Sequence, residues 1–231
     1  MPELIVISLP RSGTTSIAEI FRKYGAINEY KEQEYVSLYS KYKKGFINAS
    51  QVDPFILKRY LNDELIVDAA SFNFMITDRL NSLYPNTKYL ILRRELESWA
   101  NSFIKMLYYY SNKFKQKHVN MPEWMTEYGY VYSPVFNWQT IDDIYEQKIN
   151  QNVVCLLKDL ASIWHEFSTF KMNSSNHVLE LETHSLSSNI GKIVEFLEIN
   201  YDTSLVQTHH NKAKLSGNII NQNYKEILYS L

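Results

Sequence analysis

Glu3-Leu4-Ile5-Val6-Ile7-Ser8-Leu9-Pro10-Arg11-Ser12-Gly13-Thr14-Thr15-Ser16 is the stretch on which the fold turns. Residues 3–9 are an apolar run of strand type, and Pro10 stops it. Ile17, Ala18, Ile20 and Phe21 then take up a helical pattern. A strand, a turn rich in hydroxyls and one Gly, and a helix start make an anion cradle: backbone N–H groups converge there, and the helix dipole adds about half a positive charge. A phosphate suits it. The run is not the nucleoside-triphosphatase pattern G-x-x-x-x-G-K-[ST], because Leu9 stands at the first Gly and Thr14 at the Lys. The same residues could also form an ordinary strand-to-helix turn with Ser and Thr as N-caps.

Around this start lie 231 residues, a length that fits one domain, 1–231, with a full core. Lys+Arg 24 against Asp+Glu 25 gives a net charge of -1, which argues against nucleic acid as a partner. The 18 Tyr and 11 Phe point to a thick aromatic core or an aromatic-lined pocket. Cys155 is the single cysteine and reads as a buried structural thiol. No apolar run reaches the length of a membrane span, and the first strand begins too early to leave room for a leader peptide, so a cytoplasmic protein is expected.

Further strands are expected at 26–30, 64–68, 88–92 and 177–182, alternating with helices, which is the signature of an α/β fold with a central, mainly parallel sheet in three layers. Helices are expected from the first loop to Tyr24, ended by Gly25; from Asp53-Pro54 as N-cap and first residue to Leu61; over 72–83; and from Leu96 onward. Lys31–Glu34 reads simply as charged. Residues 104–140 carry many aromatics, broken by Pro122, Gly129 and Pro134, and show no clear period, so they read as an insertion in the form of a binding loop or lid. Thr140 is expected to cap a long helical stretch with room for a break at 150–152. Ser187 or Ser188 caps a helix over 190–197, and a last helix covers 219–231. The adjacent His209 and His210 lack the other ligands of a metal site, and no metal is expected. Neither His118 nor His184 acquires a role.

The run Pro10-Arg11-Ser12-Gly13-Thr14-Thr15-Ser16 after an N-terminal strand resembles the 5′-phosphosulfate loop of sulfotransferases that use 3′-phosphoadenosine 5′-phosphosulfate (PAPS), written P-[KR]-[ST]-G-T-[ST]. A second piece agrees with it. That family has an Arg after a strand and a Ser eight positions later, which together hold the 3′-phosphate; Arg94 and Ser102 stand at that spacing after Leu90-Ile91-Leu92. An Arg offers a planar fork to phosphate oxygens. Arg93 and Arg94 also read as a solvated pair salt-bridged to Glu95 and Glu97, with Ser102 a neutral helix residue. Val178–Leu186 followed by Ile193–Ile199 is similar to the late strand and helix of the family, with Glu198 where the family has Gly. A basic C-terminal loop covers the adenosine in related proteins, a part that falls to Lys212 and Lys214 here, although the family's R-K-G form is absent.

The resemblance implies sulfuryl transfer from PAPS as co-substrate to a hydroxyl of a carbohydrate or small molecule, with residues 104–140 on the acceptor side. Arg11, Ser12, Gly13, Thr14, Thr15 and Ser16 would meet the charge that grows on the departing phosphate. Small-molecule sulfotransferases take their catalytic His from a T-H-L-P run; Asp68-Ala69-Ala70-Ser71 stands there instead. Bacterial carbohydrate branches use a Glu just past the second strand, and Asn28-Glu29-Tyr30 resembles their E-Y pattern. Glu29 is therefore the first choice for the base and Asp68 the second. The alternatives are a non-catalytic nucleotide-binding protein and a P-loop-like kinase, the latter disfavoured by the missing Lys. Neither the acceptor's identity nor the oligomeric state is legible.

Overall fold

The computed structural model describes residues 2–61, 65–172, 177–200 and 217–230. Lys212, Lys214, His209 and His210 lie outside them. The chain gathers into two compact units, Met1–Arg94 with Lys171–Asn211 and Glu95–Phe170 with Lys212–Leu231.

The first unit holds the sheet. β1 (Leu4–Ser8), β2 (Ala26–Asn28), β3 (Val67–Ala69), β4 (Lys88–Arg93) and β5 (Val178–Glu182) form five strands in the order β2-β3-β1-β4-β5. Every neighbouring pair is parallel, with Ile5 opposite Asp68 and Tyr89, and Leu92 opposite Leu181. All five residues of β1 are buried, as expected of a central strand covered on both faces. On one face Leu4, Val6, Leu90 and Leu92 pack with Ile17 and Phe21 of α1 (Thr14–Ile20) and its continuation, and with Ile193 and Leu197 of α9 (Ile190–Leu197). On the other, the Tyr89 hydroxyl lies 2.8 Å from Leu80 O in α4 (Thr77–Leu83) and 2.9 Å from Tyr84 O.

Four expectations are corrected in this unit. Lys31–Glu34 is not merely a charged stretch but opens α2 (Glu32–Lys43), which buries Tyr35, Val36 and Tyr39. The next helix, α3 (Ala49–Arg59), starts five residues before Pro54, not at it. Asn48 and Gln51 form its capping box, and Asp53 instead holds Arg79 through two bonds of 2.8 and 2.6 Å. Residues 72–83 are a 3-10 turn, Ser71–Ile76, leading into α4 rather than one helix. Finally, the expected strand 64–68 is Val67–Ala69.

The second unit is helical. Residues 104–140, expected as a loop or lid, continue α5 (Leu96–Gln116) and go on through α6 (Glu123–Tyr132) into α7 (Trp138–Tyr145). Trp99, Phe103 and Tyr132 stack in its core, with ring centroids 5.5 and 4.5 Å apart. Gly129 is required by packing: a Cβ there would meet the Phe136 ring at 2.2–2.5 Å. Thr140 does not cap α7; Asn137 does, accepting from the Thr140 N–H at 2.8 Å, and Asn150 then caps α8 (Gln151–Thr169). Cys155 is half-buried rather than buried. The last helix is α10 (Gln222–Leu228). Among the described residues no helix is long and apolar enough to cross a membrane.

Candidate active site

The loop between β1 and α1 is fixed by what holds its carbonyls. The Arg94 guanidinium donates to Arg11 O, and the Thr183 hydroxyl lies 3.0 Å from Ser12 O and 2.8 Å from Arg93 O, sharing its one proton between them. In a trans peptide the C=O and the following N–H point in opposite directions. Tying back Arg11 O and Ser12 O therefore turns the Ser12 and Gly13 N–H groups the other way, into the turn. One hydroxyl just after β5 thus joins the loop after β1 to the last residue of β4.

Gly13 is the N-cap of α1 at φ 100, in the left-handed region that favours Gly, and no side chain caps this helix. Ser and Thr as N-caps, the ordinary-turn reading, is therefore not what the fold builds. Ile17 is the residue whose N–H reaches Gly13 O, at 3.0 Å, so the N–H groups of Thr14, Thr15 and Ser16 precede the first intrahelical bond. Ser12 and Thr14 are buried, while Arg11, Thr15 and Ser16 are half-buried. Arg11 itself has φ 66, a strained setting for a side-chain-bearing residue and one typical of functional turns.

Glu29 follows β2. β3 lies between β2 and β1 in the sheet, so the end of β2 is two strand spacings, about 10 Å, from the end of β1. Glu29 and Lys31 both adopt left-handed backbone, φ 50 and 52. The Ser71 N–H, just beyond β3, donates to the Glu29 carboxylate at 3.0 and 3.2 Å, and the Glu29 N–H approaches Ala69 O at 3.5 Å. Among the described residues no cation pairs with this half-buried carboxyl. Burial, then the nearby Glu32 charge, push its pKa up to about 8, against the opposing pull of the Ser71 N–H and hydroxyl. A carboxylate with this proton affinity suits general base work near neutral pH.

Asp68 is placed differently. It is fully buried, accepting from Arg59 Nη2 at 2.7 Å, the Tyr60 hydroxyl at 2.6 Å and Asn73 Nδ2 at 2.9 Å. Arg59 is buried too, over the rings of Phe72, Tyr60 and Tyr35 at 4.8, 5.2 and 5.4 Å. Burial works against its charge, and Asp68 with the surrounding hydroxyls reverses this and raises its pKa. With Arg59 paired to it, three donors spread over its two oxygens and no exposed surface, Asp68 is engaged in holding its neighbours and closed to an acceptor. Arg93, next to Arg94, is held by Glu180 at 3.1 Å. Ser102 is buried on α5 in the helical unit.

The structure thus brings Arg94 onto the Arg11 loop and Glu29 onto the turn after β3. Thr183, Ser71, Asn73 and Arg59 have no counterpart in the sequence reading. Arg59 follows Lys58 at a helix end, where basic residues are ordinary, and Ser71 acts largely through its backbone N–H, which carries no sequence signal.

A family model described as "Sulfotransferase domain" matches residues 3–160. The chain belongs to the sulfotransferase family. No curated protein sequence matches it. Among solved structures, a sulfotransferase from Alicyclobacillus acidocaldarius is similar at 12% identity and TM-score 0.48, covering 99% of this chain and 90% of that one. A sulfotransferase domain from the curacin biosynthetic pathway is similar at 15% identity and TM-score 0.40, covering 94% and 81%. Family and sheet agree on a sulfotransferase with a central parallel sheet flanked by helices.

Proposed function

We propose that this sulfotransferase moves the sulfuryl group from PAPS to a hydroxyl of a carbohydrate or small molecule, with Glu29 as base. The observation that carries the reading is the Glu29 carboxyl, half-buried, without a cation among the described residues and held by the Ser71 N–H at the same sheet edge as the Arg11–Ser16 loop. The loop N–H groups with Arg11, Ser12, Gly13, Thr14, Thr15 and Ser16 take the 5′-phosphosulfate. Arg94 and Ser102 take the 3′-phosphate, and Lys212 and Lys214 remain proposed cover for the adenosine. As the acceptor oxygen bonds to sulfur, its proton passes to Glu29. The bond from sulfur to the 5′-phosphate oxygen breaks, and that oxygen keeps the electron pair, stabilised by the loop. Asp68 serves to hold β3 and the turn beyond it.

Thermal shift with 3′-phosphoadenosine 5′-phosphate (PAP), against adenosine 5′-phosphate as control, tests the donor; a shift with PAP alone is expected, and none with either overturns the assignment. Labelled sulfate transfer across an acceptor panel tests the reaction. In Glu29→Gln, PAP binding is retained and transfer falls by about 10²–10⁴-fold. Unchanged transfer refutes the base, and PAP binding without transfer in the unaltered protein would mark a nucleotide-binding protein.

A further inference from the structure

Asn73 is fully buried in the 3-10 turn after β3, and its side chain meets three elements. Its carboxamide oxygen accepts from Arg59 Nη1 at 2.9 Å, and its nitrogen donates to Asp68 Oδ2 at 2.9 Å and to Val6 O of β1 at 3.2 Å. Both hydrogens and the oxygen are thereby used. Its backbone N–H closes the turn on Ala70 O at 3.2 Å. Ala70 O and the Ser71 N–H that holds Glu29 belong to one peptide unit. A buried side chain with every donor and acceptor spent can occupy one position only, and here that position fixes the turn to the strand that leads into the anion loop.

We propose that Asn73 is a positioning residue: by joining Val6 O to the Ser71 turn it sets the Glu29 carboxyl in register with the loop at Arg11–Ser16. This rests on Glu29 being the base. The role is separable from general stability, because Tyr60 donates to the same Asp68 oxygen without closing the turn. The charged groups that face Glu29 are Glu32 at the start of α2 and Asp68 on β3, the latter paired with Arg59 of α3. Asn73→Ala and Tyr60→Phe leave each of these charges in place, and each removes one hydrogen bond from Asp68 Oδ2.

The experiment compares Asn73→Ala, Tyr60→Phe, Glu29→Gln and the unaltered chain. PAP affinity is read by calorimetry, turnover by release of PAP from PAPS with water as acceptor, and the clamp by the amide resonance of Ser71 during a pH titration. In the unaltered chain the Ser71 amide moves as Glu29 loses its proton. In Asn73→Ala that movement is expected to shrink and turnover to fall by about 10–100-fold, as for a misplaced catalytic group, with PAP affinity unchanged. Tyr60→Phe should keep both the Ser71 titration and turnover. Should Asn73→Ala not fold, the near-isosteric Asn73→Leu deletes the same bonds without opening a cavity or adding a charge, with the same loss expected. Full turnover and an intact Ser71 titration in the Asn73 variant overturn the inference alone, as do equal losses in the Asn73 and Tyr60 variants. Full turnover in Glu29→Gln overturns the base assignment and the inference together.

Discussion

Glu29 combines left-handed backbone, a desolvated carboxyl and a backbone N–H across both its oxygens. A base works in its ionised form, so with a pKa of about 8 the rate of transfer should climb with pH up to about 8 and level off above it. A pH–rate profile checks this; a flat profile from 5 to 9 would contradict it. The buried partner pair behaves otherwise. Removing one member leaves an uncompensated charge, so Arg59→Met should lower stability by about 3–5 kcal/mol, measured by urea unfolding. At this scale the residues proposed for the site that were legible in the sequence stand out by their own type and spacing: Arg11, Gly13, Glu29 and Arg94. The sequence hid those that act across the sheet. Thr183 works through a hydroxyl aimed at carbonyls 90 and 171 positions away, and Ser71 through a peptide N–H and a hydroxyl that reach a carboxyl 42 positions away.

Among the elements, β1 and β4 were legible because buried parallel strands are uninterrupted apolar runs. α2 was not, since its buried residues are mainly tyrosines set among charges. Residues 104–140 misled for a related reason: Tyr and Trp serve a helix core and a loop equally well, and Pro122 and Pro134 fall between helices and not inside one. Pro54 shows the opposite case, a proline inside α3, where it withholds the N–H due to Ser50 O. Pro54→Ala should therefore stabilise the protein by about 1–2 kcal/mol, the restored bond outweighing the looser unfolded chain. Glu198 ends α9 at φ 60, where the family has Gly, and its exposed pairing with Lys88 contributes little. Glu198→Gly is expected to add about 0.5–1 kcal/mol, and both changes can be read from chemical denaturation.

For the whole molecule, Glu29 also links protons to folding. Its folded pKa lies above the ordinary carboxyl value, so the native state holds a proton that the unfolded chain releases between about pH 4.5 and 8. This contribution is present in full below that window and is lost as pH rises through it. Glu29→Gln should flatten the fall, as followed by thermal unfolding at stepped pH. The sheet's topology bears on how the protein is made. β1 is bordered by β3 and β4, so this apolar strand leaves the ribosome ahead of both neighbours and finds the second only after residue 93 has been synthesised. Until then the nascent chain carries a sticky segment with one edge unpaired, an invitation to aggregation that slower translation, lower growth temperature or a chaperone bound near residues 4–8 would relieve.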